Sequence, residues 1–323
     1  MNRRAFVTGL GVVLAAPLAG ESQQGRVYHV GVVYQGGPYS EFIAGLREGL
    51  KELGLEEGKQ FVFLLRDAKG DLKSVEAAAR MLEAEKVDLI CAIATSVTVA
   101  AKRATQRVPI VFYAGTDPVA VGLVKSFRKP GGRLTGIHGQ LTDLTPKRLE
   151  LLKEMIPTLR RVVTFYDPNN PAAQQAVKLA RAAAPQLKLE IVEHLVASVE
   201  QLRASLGALP SGDRDAYFYI SDAMVATQTD VIVEATKAKR LPAMFSNKDA
   251  AVNGALASYG ESYYALGRVT AKHVRQVLLG ADPGTLPVEQ FDRPEFVINL
   301  KTAKALGLTI PPSLLLRADQ VLE

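Results

Sequence analysis

YHVGVVYQGGPYSEFIAGLREGLKELG, residues 28–54, is the stretch that decides the fold of this chain. Residues 30–33 form a short apolar run that ends near a Gly-Gly-Pro sequence, and this pattern predicts a buried strand followed by a turn. Apolar residues then recur at helical spacing over 42–53, which predicts a helix. Gly45 and Gly49 fall one turn apart and are expected to let this helix lie close on a sheet; alternatively, they only weaken it by about 1 kcal/mol each. The stretch predicts a strand–loop–helix unit, with the loop at the sheet edge where ligands bind in α/β folds.

Similar strand–helix units follow along the chain in two series. Four such units precede residue 137, and a second series starts at residue 161. Repeated alternation of this kind predicts parallel strands joined by right-handed crossovers. The predicted fold class is therefore α/β, with two Rossmann-like, three-layer lobes and parallel sheets. The predicted strands are 30–33, 61–66, 89–94, 110–114, 162–166, 187–195, 216–220, 243–245, 256–259 and 296–300.

The C-terminal third has too few elements to form an independent core, so it is expected to complete the two earlier halves. The predicted domains are residues 27–137 plus 256–285 for lobe 1, and 138–255 plus 286–323 for lobe 2. This division requires the backbone to cross between lobes near 136–145, 252–261 and 285–296. Several crossings of this kind predict a hinge with a cleft between the lobes.

The N-terminus predicts export from the cytoplasm. Arg3 and Arg4 precede an apolar run over 5–19, which is too short for a confident membrane span but typical of an export signal. We expect a cleaved signal over residues 1–22 and a periplasmic or other extracytoplasmic location. The paired arginines resemble a twin-arginine signal, and ordinary secretion stays open as the alternative route.

Composition and motif content argue against several function classes. The chain has 323 residues, 48% of them hydrophobic, and its net charge of +6 is scattered without a run of five or six basic residues, which favours a solvated surface over a nucleic-acid site. One cysteine, Cys91, excludes an internal disulfide and a thiolate metal cluster. The four histidines show no metal-binding spacing, and the mature chain has no nucleophile elbow, Walker A loop or dinucleotide fingerprint. We therefore expect no catalytic residue, metal or cofactor.

The loops that follow the predicted strands carry the candidate binding residues. Thr95, Ser96 and Thr116 offer hydroxyl and amide groups at helix N-termini, where an anion such as a carboxylate is favoured. Asp117 and Asp222 could each hold an ammonium group through a charge-assisted hydrogen bond.

Two tyrosines, Tyr34 and Tyr259, could stack on a flat ligand. Each candidate also has an ordinary structural role as an alternative, because such residues commonly cap helices, form turns or pack in cores. The pattern across both lobes is stronger than any single member. The full predicted ligand-binding set is Tyr34, Gln35, Thr95, Ser96, Gly115, Thr116, Asp117, Asn169, Asn170, Ser221, Asp222, Asn247 and Tyr259.

Four segments give the chain a family resemblance: residues 28–54, VPIVFYAGTDPVAVGLV at 108–124, YDPNNPAA at 166–173 and PEFVINLKTAKALGLTIPPSLLLRADQVLE at 294–323. With them the chain resembles the extracytoplasmic solute-binding proteins of ABC importers, in the branch that includes proposed tryptophan- and tyrosine-binding members. The resemblance covers essentially the whole mature chain and implies a type I periplasmic-binding-protein fold. It also implies separate permease and ATPase partners, and ligand contacts from most of the residues above. The sequence Ser-Asn-Lys-Asp at 246–249 departs from the Arg/Glu-type pair expected there, which leaves the ligand's identity open.

The sequence therefore predicts a monomeric binding protein without catalysis or nucleic-acid binding. It would capture a small solute, such as an amino acid or an aromatic carboxylate, by hinge closure. One alternative is an enzyme that uses paired aspartates in the same cleft. Another is a ligand sensor with the fold of repressor effector domains, although about two dozen residues before the first strand are too few for a helix-turn-helix module.

Overall fold

The computed structural model of the protein describes residues 26–211 and 214–323. The predicted export signal and its arginine pair lie outside the described residues. In these two ranges no helix has the length and apolar character needed to cross a membrane. The strands are β1 (Tyr28–Tyr34), β2 (Phe61–Asp67), β3 (Leu89–Ile93), β4 (Ile110–Ala114), β5 (Leu134–His138), β6 (Arg161–Tyr166), β7 (Glu190–Leu195), β8 (Asp215–Phe218), β9 (Ala243–Phe245), β10 (Ala257–Glu261), β11 (Glu289–Gln290), β12 (Pro294–Asn299) and β13 (Gln320–Leu322).

Helices connect most of these strands. The helices are α1 (Tyr39–Glu52), α2 (Leu72–Ala84), α3 (Thr95–Ala104), α4 (Thr145–Met155), α5 (Pro171–Ala183), α6 (Val199–Ser205), α7 (Ala223–Ala226), α8 (Thr229–Ala238), α9 (Lys248–Val252), α10 (Tyr263–Leu278), α11 (Leu300–Leu306) and α12 (Pro312–Leu315), with a 3-10 turn at Leu206–Ala208.

The strands form two sheets, one in each lobe. The first sheet has the order β2-β1-β3-β4-β5-β11, and all its strand pairs are parallel. The second has the order β7-β6-β8-β9-β10-β12-β13 and is parallel except that β12 runs antiparallel to β10. The predicted two-lobed α/β fold is confirmed. The sequence does not predict the antiparallel strand: β12 enters directly from the other lobe, so no same-lobe crossover helix sets its direction.

Two predicted lobe boundaries are displaced. Strand β10 pairs with β9 and β12, so residues 256–261, which the sequence places in lobe 1, belong to the second sheet. Strand β11 pairs with β5, so residues 286–290 belong to the first sheet. The chain therefore changes lobe at 139–144, at Ser262 and at 291–293. Strand pairing sets these points, and the apolar pattern of a short strand does not reveal its partner.

Glycines determine how closely α1 packs, although against a different partner from the predicted one. A Cβ on Gly45 would lie 1.9 Å from the carbonyl oxygen of Tyr264, and one on Gly267 would lie 1.9 Å from that of Phe42. The glycine-containing faces of α1 and α10 thus pack with their backbones in direct contact. The prediction that Gly45 and Gly49 approach a sheet was wrong. This contact ties α1 to the helix that begins at the second lobe crossing.

The order of each sheet reverses at one point, and these points locate the binding region. The reversals occur between β1 and β3 and between β6 and β8, and crevices at such points bind ligands in open α/β sheets. The lobes touch there. A Cβ on Gly37 would lie 2.7 Å from Thr227 Cα, and one on Gly70 would lie 2.9 Å from Val199 Cγ2. The structure therefore has the two lobes closed against each other.

Candidate functional site

A small cavity lies between the lobes where the two sheet reversals face each other. Its volume is about 20 Å³, close to the space that one water molecule needs. Its walls come from loops after β3, β4, β6 and β8, from the first turn of α1 and from the first lobe crossing. The lining residues are Tyr39, Ala94, Thr95, Ser96, Tyr113, Gly115, Leu141, Asn170, Ala172, Tyr219, Ser221, Asp222 and Ala223.

The first lobe contributes hydroxyl groups that no protein group satisfies. Thr95 Oγ1 and Ser96 Oγ are buried and without a hydrogen-bond partner among the described residues. They open α3, directly after Ala94, whose φ of 97° and ψ of 153° lie in a region that residues with a side chain rarely adopt. Strained backbone of this kind persists only where surrounding structure enforces it, and it concentrates at functional sites. Here it turns the chain so that the start of α3 forms part of the cavity wall.

The second lobe contributes a buried carboxylate, Asp222. It follows β8 and caps α7, accepting hydrogen bonds from the backbone N–H groups of Met224 at 2.9 Å and Val225 at 3.1 Å. Its second oxygen accepts the N–H of Asp167 at 2.9 Å. Burial raises the pKa of Asp222 to about 6, and the other main influences are backbone N–H groups, the Asp167 carboxylate and the Asn170 side chain. None of these is a cation, so the carboxylate is suited to accept a cationic group from a ligand.

Tyrosine rings form the hinge-side wall of the cavity. Tyr39, Tyr113 and Tyr219 line it. Tyr263 supports two of them from behind, with ring centroids 5.0 Å from Tyr39 and 6.1 Å from Tyr113. Sequence reasoning missed all four. Tyr39 ends the quoted loop after β1 and could have been included on that ground, whereas Tyr113 lies inside an apolar strand and gave no signal.

A second, larger cavity of about 530 Å³ adjoins the first and opens between α2 and α6. The two cavities share Ser96, Asn170 and Asp222. Gln35 lines the larger one, and both polar atoms of its side chain are buried without a partner among the described residues. This outer cavity carries charges of both signs and is large enough for a small metabolite. Its other polar lining residues are Lys69, Asp71, Lys73, Asp167, Asn169, Ser198 and Glu200.

The structure brings eight of the thirteen predicted site residues to these two cavities. They are Gln35, Thr95, Ser96, Gly115, Asn169, Asn170, Ser221 and Asp222. All but Gly115 follow the four strands beside the sheet reversals. The carboxyl ends of those four strands face the crevice, and the end of β4, one strand farther along its sheet, reaches the small, inner cavity through Gly115.

The five remaining predicted residues have other surroundings. The carboxylate of Asp117 accepts the N–H groups of Val119 at 2.7 Å and Ala120 at 3.1 Å, which is a turn-capping role. Thr116 donates to the Gln175 side chain. Tyr259 packs edge-on against Phe296. Asn247 lines two other cavities, which share no described lining residue with the inner and outer ones. Tyr34 is half-buried beside Asp67.

Within the described ranges, no group of three or more His, Cys, Asp or Glu side chains is placed to hold a metal ion. The polar and aromatic groups that line the two cavities are hydroxyl, amide, carboxylate and tyrosine groups, with the ammonium groups of Lys69 and Lys73 in the outer one.

The amino-acid sequence is similar to those of known substrate-binding proteins. The family model described as ABC transporter substrate binding protein matches residues 30–322. A tyrosine-binding protein of Clostridioides difficile (strain R20291) is 29% identical over 264 residues, which cover 82% of this chain and 76% of the relative. The match to the family model extends from β1 to β13, so both walls of the cleft lie within it.

Two crystal structures are similar over nearly the whole described chain. One is an ABC domain from Streptococcus pneumoniae in complex with L-Trp, with a TM-score of 0.82 and 28% identity. The other is a conserved domain protein of Vibrio cholerae, with a TM-score of 0.84 and 30% identity. Each comparison covers 92% of this chain and 100% of the other chain.

Proposed function

The chain belongs to the family of ABC transporter substrate-binding proteins, and on this premise we propose that it captures an amino acid between its lobes for an ABC importer. One observation carries the proposal: polar groups without a hydrogen-bond partner among the described residues face the buried carboxylate of Asp222 across a closed cleft, and the main influences on that carboxylate include no cation. A buried polar group without a partner costs about 1–3 kcal/mol, so this arrangement favours a ligand that supplies the missing hydrogen bonds.

The two walls suit the two charges of an amino acid. The hydroxyls of Thr95 and Ser96 stand at the start of α3, where the helix dipole favours a carboxylate. Asp222 in the opposite wall favours an ammonium group. The two relatives, one named for tyrosine binding and one in complex with L-Trp, support an aromatic side chain, for which the outer cavity of about 530 Å³ has room.

Capture would proceed by a shift in population. A ligand that contacts both walls binds the closed state more tightly than the open one, and this difference in affinity drives closure. The closed protein would then deliver the ligand to a permease and an ATPase carried on separate chains, and would act as a monomer without chemical conversion of the ligand. Export through the signal at residues 1–22, by the twin-arginine route, would place it outside the cytoplasm.

Calorimetry against the L-amino acids and a set of aromatic carboxylates tests the proposal. At least one amino acid should bind, and its decarboxylated and deaminated analogues should each bind more weakly because each lacks one charge. Asp222→Asn should weaken binding by about 10- to 100-fold, the equivalent of a charge-assisted hydrogen bond of about 1.5–3 kcal/mol.

Asp117→Asn is the matched control, because Asp117 also caps a turn after a strand but lies outside both cavity walls. It should leave affinity unchanged. Absence of binding across the panel, or equal affinity in Asp222→Asn and the parent protein, would contradict the proposal. Turnover of a bound compound would instead favour an enzyme.

A further inference from the structure

One buried carboxylate, Glu261, joins the two lobes at the hinge. It ends β10 in the second sheet, one residue before the chain crosses to lobe 1. Its Oε2 accepts a hydrogen bond from the Tyr113 hydroxyl, on strand β4 of lobe 1, at 3.2 Å. Its Oε1 accepts the backbone N–H of Gln140, in the first lobe crossing, at 2.7 Å. Glu261 therefore connects a first-lobe strand with two of the three crossings.

Glu261 packs closely against the backbone of the first lobe crossing. A Cβ on Gly139 would lie 2.0 Å from Glu261 Oε2, so the carboxylate rests on the bare backbone of the first crossing. Only 3% of Glu261 is exposed. Both hydrogen-bond partners of Glu261 are close to the inner cavity. Tyr113 lines that cavity, and Gln140 immediately precedes Leu141, which also lines it.

We propose that Glu261 is a positioning residue that takes up a proton when the lobes close, so that closure, and with it ligand capture, is favoured as the pH falls. The effect on capture rests on the proposed function, whereas the effect on closure does not. Because Glu261 and Tyr113 belong to different lobes, opening about the hinge must change their contact and admit water. Water stabilises the charged carboxylate, whereas the closed hinge stabilises the neutral acid.

The groups around Glu261 determine the pH range. Burial raises its pKa to about 7, against an ordinary value of 4.5, while Gln140, Tyr113 and the fully buried Arg148 favour the charged form and Asp143 opposes it. Arg148 does not pair closely with it and donates instead to the Leu141 carbonyl at 3.0 Å and to Thr145. The remaining titratable neighbours are Tyr263 behind the cavity wall and Glu41, Lys248, Asp249, Tyr264 and Glu295 around a shared surface cavity.

The sign and size follow from proton linkage. Above pH 7 the carboxylate is charged in both states, and below pH 4.5 it is neutral in both. Between these values the closed state binds more protons than the open state. The equilibrium constant for closure should therefore fall as the pH rises through this interval, by up to ~300-fold if opening fully restores the ordinary pKa.

Pulsed electron paramagnetic resonance on the protein without added ligand tests the proposal. Spin labels at Ala77→Cys on α2 and Ala204→Cys on α6 report the distance across the cleft, since both positions are exposed and these helices flank the outer cavity. The native Cys91 is buried and can remain. The population at short distance should fall between pH 5 and pH 8.

Two variants distinguish a pH response caused by Glu261 from one caused by the charged groups near it. Glu261→Gln can keep both hydrogen bonds, with its oxygen accepting from Gln140 and its amide donating to Tyr113, and should stay closed at every pH. Glu295→Gln removes a nearby charge that lacks these contacts and should keep the pH response. A response that persists in Glu261→Gln, or no response in the parent protein, would overturn the proposal. Either result leaves the amino-acid binding test unaffected, and a failure of that test leaves this one unaffected.

Discussion

Replacing Gly45 by alanine sets two physical effects of opposite sign against each other. Alanine favours a helix over glycine by about 1 kcal/mol, so in an isolated helix the substitution would stabilise. In the protein the added Cβ would lie 1.9 Å from the Tyr264 carbonyl oxygen on α10, and it would also meet the adjoining backbone carbon at 2.7 Å. The obstacle is the backbone of α10, which no side-chain rotation can move aside.

The geometry gives the size of the effect. An ordinary van der Waals contact begins at 3.4 Å, so α1 and α10 would have to separate by about 1.5 Å to accommodate the new atom. A gap of 0.5–1 Å already forfeits a quarter to a half of the dispersion attraction between facing atoms, and overpacking in a dense core costs about 1–3 kcal/mol or more. Because the contact is with backbone, we take the upper end and subtract the helix-propensity gain. Gly45→Ala should therefore destabilise the protein by about 2 kcal/mol.

Chemical denaturation followed by circular dichroism measures this change, with Gly207→Ala as the matched control. A Cβ added to Gly207 would meet no atom within 4 Å, and its φ lies outside the left-handed region, so its substitution should alter stability by less than about 0.5 kcal/mol. Gly45→Ala should also weaken ligand binding, because α1 carries Tyr39 and α10 carries Tyr263, and separating the helices disturbs this ring pair. A Gly45→Ala protein as stable as the parent, or more stable, would refute the close-packing argument.

Two further predictions concern the cleft and the hinge. Ala94→Gly should stabilise the protein by about 1 kcal/mol, because relief of about 1–3 kcal/mol of backbone strain exceeds the entropy cost of glycine. The control Ala92→Gly, in the adjacent strand, should destabilise the protein. Equal effects of the two substitutions in thermal denaturation would show that Ala94 is not strained. Glu261→Gln should add about 3 kcal/mol of stability at pH 8 and none at pH 4, because a pKa raised from 4.5 to about 7 gives a contribution that is present below 4.5 and lost through 7. Urea titrations at the two pH values measure this difference, and a gain of the same size at both would contradict it.

Local sequence patterns predicted the buried strands and the turns at the strand ends. The fully apolar runs of β3 and β4 are buried strands, and the turn residues after β1, β3, β6 and β8 mark the ends that face the cleft. The carboxylate of Asp222 and the hydroxyls of Thr95 and Ser96 could be chosen on that basis. Pairing between distant segments was beyond such reasoning. The sequence did not reveal that β10 joins the second sheet, or that the glycines of α1 meet a helix.

The same limit explains which site residues were missed. Asp117 and Asp222 look alike in sequence, since each follows a strand and caps the next turn. Their places in the fold separate them, because β8 lies beside the reversal of its sheet, whereas β4 lies one strand away from the reversal of its own and brings Gly115 but not Asp117 to the cavity. Tyr113 belongs to the cavity although its strand looks like core, because its ring reaches the end of the strand where the lobes meet.

The proposed function links closure and ligand binding through groups that the closed lobes leave without partners among the described residues. In the closed structure the Gln35 amide and the Thr95 and Ser96 hydroxyls are buried without hydrogen-bond partners from the described residues, and each such group costs about 1–3 kcal/mol unless another molecule satisfies it. Asp222 is buried there too, its pKa is raised by that burial, and no cation is among the main influences on it. On the proposed function these costs oppose closure, and a ligand that supplies an ammonium group and a carboxylate offsets them in the closed state. The ligand therefore binds the closed state more tightly than the open state, and this difference in affinity shifts the equilibrium towards the closed state.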